Sequence, residues 1–253
     1  MRAARAALCA GTLVVFGAQA QEGPLTLGAG LHHSEGEYGT ATNTKITTFD
    51  FTARYETGPW VYKVNVPYLE VSGNSAVIPG LGNVSGRPPR ATKESGLGDI
   101  VLSATYALLH DKSITTGVDL TGKVKVPTAD ENRGLGTGEF DYALLVDAYQ
   151  TFDRVTGFGG VGFHILGDAP GLPLNNVWSA NLGFSTKLDE RASAGAMLEG
   201  RERAAPGLSR QLDLVGFYVR KLGDAWKAQG YALIGLADGS PDWGFGLTAA
   251  RPF

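Results

Sequence analysis

The chain has 253 residues, 43% of them hydrophobic, and a formal net charge of −3. This length suits one large domain or two smaller ones, so the periodicity of the sequence has to decide between them. The acidic balance argues against nucleic acid as a partner, because a nucleic-acid interface needs an excess of basic residues.

The first twenty residues have the organisation of a secretory signal peptide. Two arginines precede an apolar run at residues 6–18, and the letters AQA at its end form an A-x-A cleavage site. The apolar run is too short to cross about 30 Å of hydrocarbon as a helix, which disfavours a membrane anchor. We expect residues 1–20 to be cleaved and residues 21–253 to form a single domain.

The only cysteine, Cys9, lies inside this predicted signal peptide. Lipoprotein cleavage at Cys9 is disfavoured, because Leu8 stands before it where a small residue is usual. A mature chain without thiols forms neither disulfides nor thiolate metal sites. Without Arg2 and Arg5, the chain keeps 20 basic and 25 acidic residues, a formal charge of −5.

Twelve segments in which apolar and polar residues alternate follow the predicted signal peptide. No stretch reaches eighteen apolar residues, so the sequence predicts no membrane-spanning helix. Each alternating segment has roughly 9 to 14 residues, enough to cross a bilayer as a tilted strand. The predicted strands lie at residues 24–33, 44–57, 60–72, 97–109, 114–126, 139–151, 155–166, 177–188, 191–203, 210–222, 226–237 and 243–253.

The connections between these segments alternate in length. Short turns on one side and long loops on the other are typical of bacterial outer-membrane barrels, whereas a soluble sandwich has no reason to keep this rhythm. The sequence therefore predicts an all-β fold: a transmembrane antiparallel up-and-down barrel of about twelve strands, with short periplasmic turns and longer extracellular loops. The short turns are predicted at residues 58–59, 110–113, 153–154, 189–190 and 223–225.

Two places leave the register of the predicted strands open. The alternation is irregular around Pro67 and Ser209. A slip of one residue there would exchange the lumen-facing and lipid-facing sets of the strand.

Tryptophans mark the ends of four predicted strands. Trp60 and Trp226 follow short turns, whereas Trp178 and Trp243 follow long loops. Each shares its face with the apolar residues of its strand. This pattern favours two interfacial aromatic girdles over a soluble core.

The last predicted strand ends on an aromatic residue, Phe253. Apolar residues alternate with small or polar ones along it. This ending resembles the signal by which bacterial outer-membrane proteins are recognised for insertion. Arg251 departs from that signal because it lies on the apolar face, where its charged end can snorkel to the headgroups.

The opposite face of the predicted strands carries polar and charged residues. We interpret this face as the lining of a polar lumen with charges of both signs. Twelve strands leave a narrow pore at most, because eight-stranded barrels are filled by side chains and sixteen-stranded ones are open channels. The lumen-lining candidates are Asp50, Arg54, Lys63, Asp99, Asp119, Lys123, Lys125, Asp141, Asp147, Lys187, Glu199, Arg201, Asp213 and Lys227.

Charges on a barrel wall either select solutes or pair across strands, and pairing is the commoner case. The pairing most expected here joins Lys123 and Lys125 to Asp141 or neighbouring acids. As a set, these charges still determine the chemistry of the lumen.

Motifs for catalysis, cofactors or metals are weak in this sequence. The four histidines lie on a loop edge, a turn and one strand, and neither G-x-S-x-G nor H-E-x-x-H occurs. Residues 157–162 match G-x-G-x-x-G, but the chain continues as a strand where a dinucleotide site needs a helix. The acids and glycines of residues 127–141 lack the spacing of an EF-hand loop. We expect no catalytic residues, no cofactor and no metal.

Three motifs, however, resemble one known family. SGLGD at residues 95–99 opens one strand, KVPT at 125–128 ends the next, and GTGEFD at 136–141 leads into the third. This order is similar to that of the outer-membrane family known as the MetA-pathway of phenol degradation, whose members are commonly called transporters. Residues 167–171 and 240–246 also resemble that family, so the resemblance covers most of the mature chain.

The resemblance implies a barrel that helps small, often aromatic, compounds cross the outer membrane, and it supplies no binding residues. With the strand pattern, it predicts a bacterial outer-membrane channel or transporter for passive passage of small solutes, including aromatic or hydrophobic compounds. The alternatives are a closed structural or surface-interaction barrel without transport, an outer-membrane enzyme, and a soluble β-barrel. Expected partners are outer-membrane lipid and lipopolysaccharide, the barrel-assembly machinery, periplasmic chaperones and small solutes.

A plug in this barrel is expected to come from a loop. The first predicted strand begins only a few residues after the cleavage site, which leaves little chain for an N-terminal plug. The segment at residues 73–95 is long enough to fold inward.

Overall fold

The computed structural model describes residues 24–83, 91–110, 115–168 and 173–253. The predicted signal peptide, with Cys9, lies outside these residues. Within them, no helix is both long enough and apolar enough to span a bilayer. The elements are β1 (Leu25–Gly36), β2 (Thr44–Thr57), β3 (Trp60–Asn74), β4 (Val77–Ile78), β5 (Gly82–Asn83), β6 (Ala91–Leu97), β7 (Ile100–His110), β8 (Thr116–Val126), the 3-10 turn η1 (Glu131–Arg133), β9 (Asp141–Phe152), β10 (Val155–Ile165), β11 (Val177–Lys187), β12 (Ala192–Arg201), β13 (Gln211–Leu222), β14 (Trp226–Gly235) and β15 (Trp243–Pro252).

Twelve antiparallel wall positions form a closed barrel, and the predicted fold class is confirmed. Neighbouring strands pair in chain order from β1 to β3 and from β7 to β15. β1 also pairs with β15, from Thr26 opposite Pro252 to Glu35 opposite Trp243, and this pair closes the barrel. β3 pairs with both β6 and β7, which together form one wall position. β4 and β5 form a small separate hairpin in the connection after β3.

The wall position made of β6 and β7 is interrupted beside Pro67. The pairing of β3 with β7 ends at Asn65, and the pairing of β3 with β6 begins beyond the proline. Because Pro67 has no backbone N–H to donate, the ladder cannot continue through it on that side. Gly98 lies at the break and donates its N–H to the Pro67 carbonyl over 2.8 Å. Most of β6 therefore falls in a segment that the sequence predicts as loop.

The two ends of the barrel differ as the sequence predicts. Tight turns join β2 to β3 and β9 to β10, where Gly58 and Asp153 adopt positive φ angles of 54° and 51°. Leu25 and Phe253 lie at the same end, and the Phe253 N–H donates to the Leu25 carbonyl over 2.8 Å. We call this the short-turn end and the opposite one the long-loop end. The short turn predicted at 110–113 lies largely outside the described residues.

The outer face of the barrel is covered by exposed apolar side chains, because successive side chains of a strand point to opposite faces. All four tryptophans project from this face, Trp60 and Trp226 at the short-turn end and Trp178 and Trp243 at the long-loop end. Phe253 is exposed as well. The other large apolar residues exposed on strands include Leu27, Leu31, Phe49, Phe51, Tyr55, Leu102, Leu144, Val161, Leu182, Phe184, Leu198, Leu214, Ile234, Phe245 and Leu247.

Arg251 lies on this apolar outer face and stacks against aromatic rings. Its guanidinium carbon lies 5.1 Å from the centroid of the Phe253 ring and 6.0 Å from that of Trp226. These distances fit cation–π contacts, which lower the cost of a charge on an apolar surface.

Apolar side chains fill one side of the lumen near the short-turn end. Phe158, Met197, Phe217 and Val219 extend inward from β10, β12 and β13 and are buried. On the opposite wall, the hydroxyls of Thr105 on β7 and Thr121 on β8 lie 2.8 Å apart and hydrogen-bond to each other. This half of the barrel is a packed core rather than an open pore.

A buried polar network crosses the seam where β1 meets β15. The Tyr231 hydroxyl lies 3.0 Å from Nδ1 of His32, and Nε2 of His32 lies 2.9 Å from a carboxylate oxygen of Asp50. The other oxygen of Asp50 accepts a 3.1 Å hydrogen bond from Asn65. Four strands, β14, β1, β2 and β3, are thus joined through side chains inside the lumen.

Gly246 on β15 makes room for this network. A Cβ atom there would lie 2.4 Å from Nδ1 of His32 and 2.3 Å from the ring of Tyr231. Both rings are held by hydrogen bonds, so they cannot move aside without losing one.

We predict that Gly246→Ala lowers the free energy of unfolding by about 1–3 kcal/mol, the usual cost of overpacking a core. Urea unfolding of the protein in detergent micelles measures the change. Gly216→Ala is the matched control, since a Cβ on Gly216 meets nothing within 4 Å. Equal stability of the two variants would contradict the packing described for the seam.

Candidate functional site

A cavity of about 460 Å³ occupies the lumen on the long-loop side. Its floor is formed by side chains near the middle of the strands, such as Lys63, Leu145 and Val215. The apolar core of the short-turn half lies directly beneath. We call this cavity the chamber.

The hairpin of β4 and β5 covers part of this chamber. Ile78, with 2% of its surface exposed, and Leu81 line the cavity and pack against Val177 at the start of β11. Leu208, in the connection after β12, belongs to the same cluster. The hairpin thus reaches from β3 to the opposite wall, and the described part of the segment at 73–95 folds inward, as its length suggests.

A second long connection, between β8 and β9, also folds over the wall. Leu135 is buried against Leu69 and Val71 of β3, on the far side of β7. Arg133 in η1 donates a 2.8 Å hydrogen bond to Glu94 of β6. Packing and polar contacts together hold this connection at the rim of the chamber.

Lys125 forms the centre of a charge cluster at that rim. Its Nζ lies 2.7 Å from Asp141, its cross-strand neighbour, and 3.3 Å from Asp99. It also donates to the Thr137 hydroxyl over 2.9 Å. The second oxygen of Asp99 accepts from the backbone N–H of Ala129 over 3.0 Å. The pairing expected between Lys125 and Asp141 is present, and it anchors the β8–β9 connection.

Three other cations face the cavity without such partners. Among the described residues, no carboxylate oxygen lies within 4.0 Å of Lys63, Lys123 or Arg201. The Nε atom of Arg201 is buried and has no hydrogen-bond partner within the described parts of the chain. Two acids, Glu199 and Asp213, line the same cavity from β12 and β13. The chamber therefore holds charges of both signs that form no ion pair within 4.0 Å among the described residues.

The remaining lumen candidates lie outside the chamber. Arg54 pairs with Glu56 near the short-turn end, and Asp119 is buried at 3% exposure. Asp147 accepts a long contact of 3.5 Å from Asn181. Lys187 is exposed at the end of β11, and Lys227 is half-buried at the start of β14. The candidates that line the chamber are Asp50, Lys63, Asp99, Lys123, Lys125, Asp141, Glu199, Arg201 and Asp213.

The histidines do not form a common site among the described side chains. His32 belongs to the seam network, whereas its neighbour His33 faces outward, 2.9 Å from the Thr47 hydroxyl. His164 lies in the lumen, with its Nε2 atom 2.8 Å from the Ser179 hydroxyl. The side chain of His110 is not among the side chains that the structure describes. In the described residues, no three histidine, cysteine, aspartate or glutamate side chains could hold a metal together.

Two glycines of the GFGGVG segment make room for side chains inside the lumen, and the segment lacks the strand–helix context of a nucleotide site. Residues 157–162 all lie within strand β10, and the described residues up to β11 contain no helix. A Cβ atom on Gly160 would lie 2.1 Å from Asp147, and one on Gly162 would lie 2.7 Å from Ser179. The two glycines therefore leave space for polar side chains of the neighbouring strands.

Tyr38, in the connection between β1 and β2, closes the rim beside the seam. Its hydroxyl lies 2.8 Å from that of Ser34. Burial is the main cause that raises the pKa of Tyr38 to about 12, and nearby acids add to it. The phenol is therefore neutral and able to donate a hydrogen bond across the physiological pH range.

A closed, apolar-sided barrel with a charged inner chamber is the architecture of outer-membrane β-barrels. The family profile described as "Putative MetA-pathway of phenol degradation" matches residues 19–203. That match covers most of the chain, and the protein belongs to this family. A search of curated proteins finds no match to the sequence.

Several solved structures share the fold at low sequence identity. The KdgM porin superposes with a TM-score of 0.55 at 9% identity over 90% of this chain and 99% of its own. The NanC porin gives 0.55 at 7% identity over 90% and 100%. The translocator domain of the autotransporter NalP from Neisseria meningitidis gives 0.56 at 12% identity over 92% and 89%. These similarities concern the fold alone.

We predict that Ile78→Ala loosens the β4–β5 hairpin, because truncating a buried isoleucine costs about 2–5 kcal/mol of packing. Limited proteolysis with thermolysin, with cut sites read by mass spectrometry, is expected to show faster cleavage within residues 75–83. Leu188→Ala, which truncates an exposed side chain in a short turn, is the matched control. Unchanged cleavage in the Ile78 variant would mean that the hairpin is held by something other than this contact.

Proposed function

We propose that the protein is a bacterial outer-membrane channel through which small solutes pass passively, with the chamber as their entry and binding site. The chamber itself carries this proposal: it is a cavity of about 460 Å³ inside a closed barrel whose outer face is apolar. Family membership and the porin-like fold support it. On this proposal the long loops are extracellular and the short turns periplasmic.

The dimensions and lining of the chamber suit small molecules. Ligand cavities in proteins typically measure about 300–1,000 Å³ and combine apolar walls with a few placed polar groups. Here Leu69, Leu145 and Leu233 line the same space as the charged residues. The solutes we propose are small and include aromatic or hydrophobic compounds, in line with the family's description, which refers to phenol degradation.

Passage through this barrel requires a change in the packed half. Phe158 and Phe217 lie between the chamber and the short-turn end, 6.4 Å apart between ring centroids. Aromatic side chains change rotamer only when their neighbours give way, because cores are close-packed. This layer therefore acts as the gate, and the rate of passage depends on how often it opens.

The proposed location also defines the partners. The apolar outer face and the two tryptophan levels fit outer-membrane lipid and lipopolysaccharide. The signal peptide predicted at residues 1–20 would direct export across the inner membrane, and the terminal Phe253 would address periplasmic chaperones and the barrel-assembly machinery. Mass spectrometry of the exported protein tests the cleavage after residue 20.

A closed structural or surface-interaction barrel is the second candidate. The packed short-turn half favours it, because Phe158, Met197 and Phe217 pack together inside the lumen there. An outer-membrane enzyme has no observation in its favour among the described residues. The two candidates differ in one measurable property, the flux of solutes.

We predict that refolded protein of residues 21–253 produces discrete conductance steps in a planar bilayer. The steps are expected to be small and brief, because a packed gate opens only transiently. Folding is checked independently by the heat-dependent mobility shift of outer-membrane barrels on gels. Silence from protein shown to be folded would contradict the channel and leave the structural barrel.

We further predict that Phe217→Ala raises the conductance several-fold or lengthens the open time. Phe217 has 5% of its surface exposed, and its removal leaves a void in the gate layer. The same change is expected to cost about 3–5 kcal/mol of stability, so the mobility shift must be verified. Phe184→Ala, on the outer face, is the control that should leave conductance unchanged. A folded Phe217 variant that conducts like the parent would place the gate elsewhere.

A further inference from the structure

We infer that the chamber binds small organic anions, whose carboxylate or phenolate group lies between Lys63 and Lys123 above Ser103. The inference rests on the proposed function, because it names the class of solute that the chamber takes. It concerns equilibrium binding, however, and is tested without any measurement of transport.

The three residues lie side by side on adjacent strands. Ser103 of β7 is the register partner of Lys63 on β3 and of Lys123 on β8. All three line the chamber. Two strand spacings separate the lysine Cα atoms by about 10 Å. Long lysine side chains span half of that distance easily, so both ammonium groups and the serine hydroxyl can meet one anionic group.

The immediate surroundings of this row leave its positive charge uncompensated. The register partner of Lys123 on β9 is Ala143, and that of Lys63 on β2 is Arg54. On the floor below, Thr105 and Thr121 hydrogen-bond to each other. No carboxylate thus occupies a neighbouring position in the row.

The acids closest along the strands are already engaged. Asp99 and Asp141 share Lys125, and each accepts a backbone hydrogen bond, from Ala129 and Gly167 respectively. Their charge is offset locally, whereas no carboxylate oxygen of the described residues lies within 4.0 Å of Lys63 or Lys123. Asp147 and Glu199 attract Lys123 only over a longer distance. An incoming anion is the group that would offset them.

Asp50 on β2 is held by His32 and Asn65, and the other two acids of the chamber lie across the lumen. Glu199 and Asp213 project from β12 and β13, which stand five and six wall positions from β7 in a ring of twelve. Arg201 lies beside them on β12. Acids on that side repel an anion toward the lysines, so the charge pattern orients the solute across the chamber.

The apolar part of the ligand has a place in the same chamber. Leu145, Leu135 and Val101 line it from β9, the β8–β9 connection and β7. Val101 precedes Ser103 by two positions and therefore lies on the same face of β7. An anion with an apolar body, such as an aromatic carboxylate, uses both the lysines and these walls.

The test uses ligand-observed NMR on the folded protein, residues 21–253, in detergent micelles. The probes are benzoate, benzyl alcohol and benzylammonium, which share an aromatic body and differ in charge. We expect benzoate to bind most tightly. Lys63→Gln and Lys123→Gln are each expected to weaken benzoate about tenfold, the usual effect of losing one charge-assisted hydrogen bond. Binding of benzyl alcohol should stay unchanged.

Two controls separate binding from folding and from bulk charge. Lys63→Arg with Lys123→Arg keeps the charges and should keep benzoate binding, which shows that the row tolerates replacement. Lys187→Gln removes a lysine that is exposed at the end of β11 and should have no effect. Equal affinity for benzoate and benzyl alcohol, or no loss of benzoate binding in the glutamine variants, would overturn the inference.

The outcomes also distinguish this inference from the channel proposal. Benzoate binding that depends on the two lysines, in a folded protein without conductance, would support the anion site and refute the channel. Conductance without preference for benzoate would leave the channel standing and refute the anion site.

Discussion

Closure of the wall is the constraint on which the rest of the structure depends. Within hydrocarbon, each backbone amide and carbonyl needs a partner inside the protein, and a barrel meets that need only when its first and last strands pair. The ladder from Thr26 and Pro252 to Glu35 and Trp243 provides this closure. Once the wall is closed, alternation along each strand sends one set of side chains outward and the other into an enclosed space.

The enclosed space then has to accommodate polar groups. The molecule does so in two ways: hydrogen-bonded networks across strands, and small residues that make room for them. Tyr231, His32, Asp50 and Asn65 contact one another across the seam, where Gly246 leaves the necessary space. Lys125 does the same for two acids at the rim. Such networks are favourable only when nearly complete, because a half-satisfied buried group is costly.

Much of the fold follows from local sequence, because strand period, turn residues and strand length are all local properties. The strand at Thr44–Thr57, for example, has the bounds that its alternation predicts. The contacts inside the lumen are harder to predict from local sequence. The contact of His32 with Tyr231 joins residues 199 positions apart, and no periodicity encodes it. The break beside Pro67 had a visible signal, the irregular alternation, but its consequence, a separate β6, depends on pairing between strands.

On the proposed function, the two halves of the lumen separate the control of rate from the control of selectivity. Apolar side chains such as Phe158 and Met197 fill the short-turn half and interact with solutes only when they move. Charged side chains such as Lys63 and Glu199 line the other half and act on a solute while the gate is shut. On the proposed function, a solute is therefore sorted by charge in the chamber before it reaches the apolar cluster of the packed half. Changes in the chamber should alter which solutes enter, whereas changes in the packed half should alter how fast they leave.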